Sequence, residues 1–300
     1  MSKIPLAITT DYLKDDDDPC PYLQKIAEAG FTHVHWGHQW NTDTIYLDSD
    51  IDQINHWLHA FNLQVYGVHG STGRLRCWYS ANENQRLAGV ELVKNRIRLA
   101  GRTHCAVVIM HISMGPQLDE ARQVFLDQLY RSLDDIKPYA THFGVRIAIE
   151  NEVDWLQLAK IKAAGSGGEI HLADNFELIS RVLADYEPDY LGLCYDSGHG
   201  NIGRDRSDRL VGLSQRLIAV HLHDNNGSGD QHQLPFTGNV NWPEVTRLIA
   251  TSSHSKTLCL ESNLSLSSAK DETQFLKLAH EVGLALTRMV AAHSQMGVRE

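Results

Sequence analysis

Short apolar runs alternate with longer stretches of helical period along the chain. Ile4–Thr10, Thr32–Trp36, Gln64–His69, Ala106–His111, Val145–Glu150, Leu191–Asp196, Leu217–His223 and Thr257–Glu261 read as strands. Between them, apolar residues recur at three- and four-residue spacing. Those segments are roughly Pro21–Ala29, Ile51–Phe61, Asn82–Ala100, Leu118–Ala140, Asn175–Leu183, Arg206–Ser214, Trp242–Ala250 and Asp271–Ala291. The continuously apolar runs Ala106–Met110 and Val145–Ile149 suit parallel strands buried on both faces. Eight strand–helix units in 300 residues predict an α/β protein, a single (β/α)8 TIM barrel over residues 1–300. No GxGxxG or GxxxxGK[ST] turn follows a strand, which removes the main support for a nucleotide-binding sheet. No linker or low-complexity tract divides the chain, and residues 151–174, with Gly165-Ser-Gly-Gly168, read as an inserted loop.

The strand ends carry the chemistry. Strand 3 ends on His69, strand 4 on His111, strand 5 on Glu150 and strand 6 on Asp196, with His199 three residues on. Strand 7 ends on His223 and strand 8 on Glu261. Residues two and four positions back share a face with the terminal residue. They are Gly67 and Val65, Ile109 and Val107, Ala148, Cys194 and Gly192, and Cys259, which are small or apolar as a barrel interior requires. The polar groups then form the top layer, where barrel active sites are built. One His or Glu at a strand end is unremarkable. Six in succession would leave imidazoles and carboxylates repelling or unsatisfied in a half-buried cup, and a divalent cation resolves that conflict. After strand 7, Asp230-x-His232 sets two further donors on one side of an extended segment, and with His199 they make another subsite or else a solvated loop.

The bulk composition narrows the partners. Lys and Arg number 27 against 37 Asp and Glu, a formal charge of −10. With no basic run beyond Arg74-Leu-Arg76 and Arg204-Asp-Arg206, nucleic acid is a disfavoured partner. The five cysteines lack a CxxC pair, which argues against a disulfide framework or a Cys-ligated zinc. No apolar run reaches membrane-spanning length, and the acidic N-terminal segment does not read as a signal peptide, so the cytoplasm is the expected compartment. Trp36, His38 and Trp40, after strand 2, can stack on a sugar or pack on the barrel rim. Arg74 and Arg76 can grip a phosphate or stand in solvent. The oligomeric state is open, a homo-oligomer included.

The set His69, His111, Glu150, Asp196-Ser-Gly-His199, His223, Asp230-x-His232 and Glu261 resembles the xylose-isomerase-like TIM-barrel superfamily. That superfamily includes the sugar phosphate isomerases/epimerases and the endonuclease IV type of apurinic-site nuclease. CYDSGHGNI, HLHDNNGSGDQH and GNVNW look most like the isomerase/epimerase branch. The resemblance implies, for an epimerase, one metal held by Glu150, Asp196, His223 and Glu261, with the two glutamates relaying the proton. For an endonuclease IV-like enzyme it implies three zinc ions. His69, His111 and Glu150 would hold the first, Glu150, Asp196, His223 and Glu261 the second, and His199, Asp230 and His232 the third. The expected cofactor is therefore one to three divalent ions, Zn or Mn.

The leading expectation is a metal-dependent isomerase or epimerase of a small sugar or sugar phosphate. In it Glu150 and Glu261 move a proton between the faces of a carbon next to a carbonyl. Glu152 is an alternative base, expected rather to face outward or bind sugar. A zinc-dependent phosphodiesterase is the runner-up, with the acidic surface and the absence of an aromatic wedge in the strand-3 loop against it. A non-catalytic metal-binding barrel is the third reading.

Overall fold

Each expected strand forms and is followed by a helix. The computed structural model describes residues 4–13, 18–71, 76–113, 119–154, 175–203, 212–254 and 257–296. In chain order the elements are β1 (Leu6–Thr9), α1 (Cys20–Glu28), β2 (His33–Trp36), α2 (Asp48–Ala60), β3 (Gln64–His69), α3 (Glu83–Arg102), β4 (Val107–Met110) and α4 (Asp119–Phe143). They continue with β5 (Arg146–Glu150), α5 (Phe176–Asp185), β6 (Leu191–Asp196), α6 (Ser197–Gly203), β7 (Leu217–His221), α7 (Trp242–Thr251), β8 (Leu258–Leu260) and α8 (Glu272–Met296). The strands pair in parallel in the order β7-β6-β5-β4-β3-β2-β1-β8. A bridge from Leu222 to Leu260 joins β7 to β8, so the sheet closes into a (β/α)8 TIM barrel. Among the described residues, no helix is long and apolar enough to cross a membrane.

Burial on both faces explains the apolar strands. All four residues of β4 are buried, each such aliphatic side chain contributing roughly 1.5–3 kcal/mol. Odd and even positions part company: Val108 and Met110 pack under the helices, while Val107 and Ile109 join Ala148, Cys194, Ile218 and Ala219 inside the barrel. Helix starts follow local chemistry. The Asn82 side chain caps α3 by accepting from the Asn84 and Gln85 amides, and Asn241 caps α7 by accepting from the Glu244 amide.

Two register shifts modify the simple alternation. Between β2 and β3, Val34 pairs with Val65 but His35 pairs with Gly67. The extra residue, Tyr66, turns inward and accepts a hydrogen bond from the Val220 amide of β7 at 2.7 Å, and Val65 moves to the helix side. The expected placement of Val65 behind His69 is thus corrected by the bulge. A second shift lies between β6 and β7, where Leu193 pairs with Leu217 and Cys194 with Ala219. It turns Ile218 inward over Gly192, where a Cβ would come within 2.7 Å of Ile218 Cδ1.

The sixth helix departs from expectation. It begins at Ser197, directly after β6. Asp196 Oδ1 accepts from the His199 amide at 2.6 Å, the geometry of a helix N-cap. Of the helix expected over 206–214, residues 206–211 lie outside the described residues, as do 155–174 of the inserted loop.

Candidate metal centre

The strand ends converge on one cavity of about 300 Å³ at the C-terminal mouth of the barrel. His69, His111, Glu150, His199, Asp230, His232 and Glu261 line it, with Thr9, Asp11, Trp40, Glu152, Ser262 and Asn263. Asp196 and His223 lie directly beneath, fully buried, and His223 Nε2 is 3.1 Å from Asp196 Oδ1 and 3.6 Å from Asp230 Oδ1. All nine expected donors are thus brought together.

Polar clamps fix the strand ends. The Asn151 side chain accepts from the Asp196 amide at 2.7 Å and donates to the Asp196 carbonyl at 3.0 Å, tying β5 to β6. Ser197 Oγ donates to the His223 carbonyl and accepts from the His223 amide, tying β6 to the end of β7. The buried Asp224 carboxylate accepts from the Trp242 indole, the Asn225 amide and the Val240 amide, and so anchors the loop that carries Asp230 and His232.

The imidazoles are oriented as ligands need to be. A carbonyl oxygen only accepts, so its partner nitrogen must carry the proton. His69 Nδ1 donates to the Gly70 carbonyl, His199 Nδ1 to the Asn151 carbonyl and His232 Nδ1 to the Glu261 carbonyl, at 3.0, 2.9 and 2.7 Å. Each bond keeps a proton on Nδ1 and so leaves Nε2 as the nitrogen that can ligate an ion once its own proton is lost, as backbone carbonyls do for metal-bound histidines. His199 and His232 direct that nitrogen at Asp230 Oδ2, at 3.8 and 2.8 Å.

Between the two glutamates stands a residue absent from the sequence expectation. His221 is fully buried, and its Nδ1 is 3.0 Å from Glu150 Oε2 and 3.2 Å from Glu261 Oε2. Strand alternation carries the signal, because His221 lies two residues before His223 and shares its face. The same alternation sets aside the outward position expected for Glu152 and leaves its role as base or sugar ligand open. Two residues beyond Glu150, Glu152 faces inward and sets Oε1 2.9 Å from His111 Nδ1. Thr9, Asp11 and Trp40 also join the cavity; the Trp40 ring centre is 4.3 Å from that of His69 and its indole donates to Asp11 Oδ2 at 3.1 Å.

The expected sugar- and phosphate-binding residues divide: Trp40 lines this cavity, and Trp36, His38 and Arg76 lie outside its lining. His35 faces the barrel interior beside His221, so its neighbour Trp36 points outward, where its indole donates to the Tyr46 hydroxyl in the core. His38 lines an adjoining cavity rather than this one. Arg76 is exposed and pairs with Asp43 at 3.4 Å, and Arg74 lies outside the described residues.

Several buried polar atoms make no aligned hydrogen bond: His111 Nε2, Glu150 Oε2, Asp196 Oδ2, Asp230 Oδ1 and both ring nitrogens of His221 and His223. Such a concentration is costly unless a further group satisfies it. Several donor sets among the described residues have their ligand atoms within 4.8 Å of one another, among them His69, His111 and Glu150; Asp196, His199 and His223; His223, His232 and Glu261; and His35, His221 and Glu261. Nitrogen and oxygen donors in this mixture suit zinc or manganese, and the residues fit a divalent cation.

Charge is already balanced inside the cluster. Burial is the largest single influence and works against ionising Glu150 and Glu261, but the imidazoles together outweigh it, His221 foremost, with His111 and His199 at Glu150 and His232 at Glu261, and hold both carboxyls below the usual range. Burial pulls His111 down, yet Glu152 and Glu150 raise it to about 10. Burial also lowers His232, and Asp230 overcomes that to bring it to about 10. His69, desolvated and beside His111, falls to about 4. The carboxylates thus draw positive charge to the site, and a cation can take the place of the imidazole protons.

Comparison with other proteins agrees with this architecture. The protein y4fM of Sinorhizobium fredii is 30% identical over 293 residues, covering 90% of this chain and 89% of its own. The crystal structure of a D-tagatose 3-epimerase-like protein superposes with a TM-score of 0.74 at 20% identity, over 96% of this chain and 99% of the other. A D-psicose 3-epimerase structure determined with D-fructose gives 0.68 at 14% identity, over 96% and 99%. The 3-keto-D-glucoside 4-epimerase of E. coli gives 0.66 at 15% identity, over 95% and 99%. Residues 23–279 match the pattern that defines one family, and the chain belongs to it: the xylose isomerase-like TIM barrels.

Proposed function

We propose that the protein is a metal-dependent isomerase or epimerase acting on a small sugar. The observation that carries this reading is the pair Glu150 and Glu261, both within 3.2 Å of one imidazole, His221, at the wall of an open cavity. The epimerases among the structural neighbours support it. Glu150, Asp196, His221 and Glu261 would hold the central ion, with His223 beside them. A bound divalent ion would polarise a sugar carbonyl and its neighbouring hydroxyl, acidifying the carbon between them. One glutamate removes that proton as general base, and the other returns a proton to the opposite face. The accepting glutamate enters the cycle ionised and the returning one protonated, and exchange with solvent resets the pair. Trp40 offers an apolar face for the sugar ring, and His111 and Glu152 are placed to hold its hydroxyls.

Metal-loaded protein should incorporate solvent deuterium at the carbon beside the carbonyl of a turned-over ketose. Glu150→Gln and Glu261→Gln should each lower that rate by about 10²–10⁴-fold while the barrel stays folded. Unchanged exchange in both variants would remove the glutamate mechanism. A zinc-dependent phosphodiesterase is the second reading, favoured by His199, Asp230 and His232, which supply donors beyond those one ion engages. Cleavage of an abasic duplex, with about three zinc ions per chain and no sugar exchange, would establish it instead.

A further inference from the structure

A second cavity, of about 380 Å³, adjoins the metal centre and shares Asp11, Trp40 and Asn263 with it. The loop after β2 forms its far side, bringing His38, Gln39 and Thr42 to its lining. This loop is held in shape from below. Thr10 Oγ1 accepts from the Gly37 and His38 amides at 3.0 and 3.1 Å. The buried Arg96 guanidinium donates to the Thr44 and Gln39 carbonyls, and the Tyr46 hydroxyl donates to the His38 carbonyl. Gln39 sits at φ 55°, in the left-handed region, and a non-glycine residue there costs energy that the surrounding bonds must offset. The second cavity is therefore a pre-formed surface.

Its chemistry suits a neutral carbohydrate. Among the described residues neither cavity is lined by Lys or Arg. The first carries five carboxylates, from Asp11, Glu150, Glu152, Asp230 and Glu261. The second is walled by amide and hydroxyl side chains, the Trp40 indole, the His38 imidazole and Leu13, with Asp11 its one carboxylate among the described residues. In the second cavity an anionic phosphate meets the Asp11 carboxylate and no fork of donors. Each volume lies near the low end of the roughly 300–1,000 Å³ typical of ligand sites, so each takes about one ring.

We propose that the second cavity is a sugar subsite, and that the substrate class is an uncharged two-ring carbohydrate, a disaccharide or glycoside. Its reacting ring lies over the metal cluster, and its second ring lies past Trp40 on the β2 loop. The assignment rests on the isomerase reading above for the role of the first cavity.

The test compares D-fructose, its glucosyl disaccharides turanose, leucrose and isomaltulose, and fructose 6-phosphate on the metal-loaded full-length protein. Calorimetry gives affinity, and deuterium exchange from solvent gives turnover. At least one disaccharide should bind about tenfold or more tighter than D-fructose, the scale of one added aromatic contact. Asn41→Trp and Leu13→Trp, which fill the second cavity, should bring that ratio to about one, with metal content and circular dichroism reporting the fold. Equal affinities, tightest binding of the phosphate, a ratio untouched by both variants, or no binding of any of these sugars would overturn the subsite. Exchange of free D-fructose with no disaccharide advantage removes the subsite alone. A disaccharide advantage that the filling variants erase, with no exchange from any sugar, keeps the subsite and removes the isomerase reading.

Discussion

Replacing His221 by Asn tests whether this imidazole serves the glutamate pair. His221 faces Glu150 and Glu261 at 3.0 and 3.2 Å with no exposure to solvent. Asn cannot carry the compensating charge, and taking one partner from a buried charge pair costs about 3–5 kcal/mol. Unfolding entropy of about 2.1 cal/mol/K per residue gives about 0.63 kcal/mol/K for this chain length. The chelator-treated variant should therefore melt about 5–8 °C below wild type. Metal sharpens the contrast. At a free ion concentration of 100 Kd, wild type gains about 2.7 kcal/mol, or about 4 °C. If losing the ligand weakens binding by about 100-fold, the variant gains only about 0.4 kcal/mol, under 1 °C. Differential scanning fluorimetry with manganese or zinc titrated after chelation reads both effects. A His221→Asn protein with the wild-type metal shift, beside a His223→Asn protein that has lost it, would refute the assignment and give the role to His223.

Acid and base should destabilise the metal-free protein for opposite reasons. Glu150 and Glu261 ionise below their usual 4.5, so their contribution is present above pH 4.5 and is lost as pH falls further. His111 and His232, raised from 6.5 to about 10, contribute fully below pH 6.5 and lose that contribution as pH climbs toward 10. The melting temperature after chelation should peak between pH 4.5 and 6.5, and a flat profile from 6.5 to 10 would contradict the charge balance described. Gly67→Ala should cost about 1–3 kcal/mol in thermal melts, because its Cβ would meet Ile109 Cδ1 at 2.6 Å and His35 Nδ1 at 3.2 Å; a neutral result would mean that the barrel interior yields at no cost. Arg86, buried between Glu83 and Asp135, holds the Glu83 carboxyl near 2. In Arg86→Met, NMR titration should find Glu83 risen toward 4.5, with Gln128 and Arg131 still holding it below that value and metal affinity unchanged, and a Glu83 still near 2 would assign the effect to Gln128 and Arg131.

The strand count and the terminal polar residues were legible because two-sided burial makes barrel strands continuously apolar and confines polarity to their ends. His69, His111, Glu150 and Glu261 follow directly from that contrast. His221 escaped because one strand presents two inward histidines in succession, and reading only the last hides the one between the glutamates. Trp36 and Trp40 illustrate the cost of a one-residue register. The inward turn of His35 sends Trp36 to the helix layer, whereas Trp40, beyond the strand, folds back over the cup. Tyr66 and Ile218 enter the barrel through bulges, which insert a residue without altering local hydrophobicity and so leave no periodic trace. Asp11 and Glu152 reach the cavity from segments just past their strands, where alternation alone gives weak guidance.

The closure between β7 and β8 has a mechanical consequence. The seam consists of the Leu222–Leu260 bridge, with the Leu222 amide donating to the Cys259 carbonyl and the Glu261 amide to the Leu222 carbonyl. On one side of it stand His221 and His223, on the other Glu261, and all three are candidate ligands. An ion shared across that line would act as a clasp on the thinnest joint of the cylinder, converting occupancy into resistance to opening. The amides of Leu222 and Glu261 become natural gauges of loading: their hydrogen exchange should be fast for barrel positions after chelation and slow steeply once metal is restored.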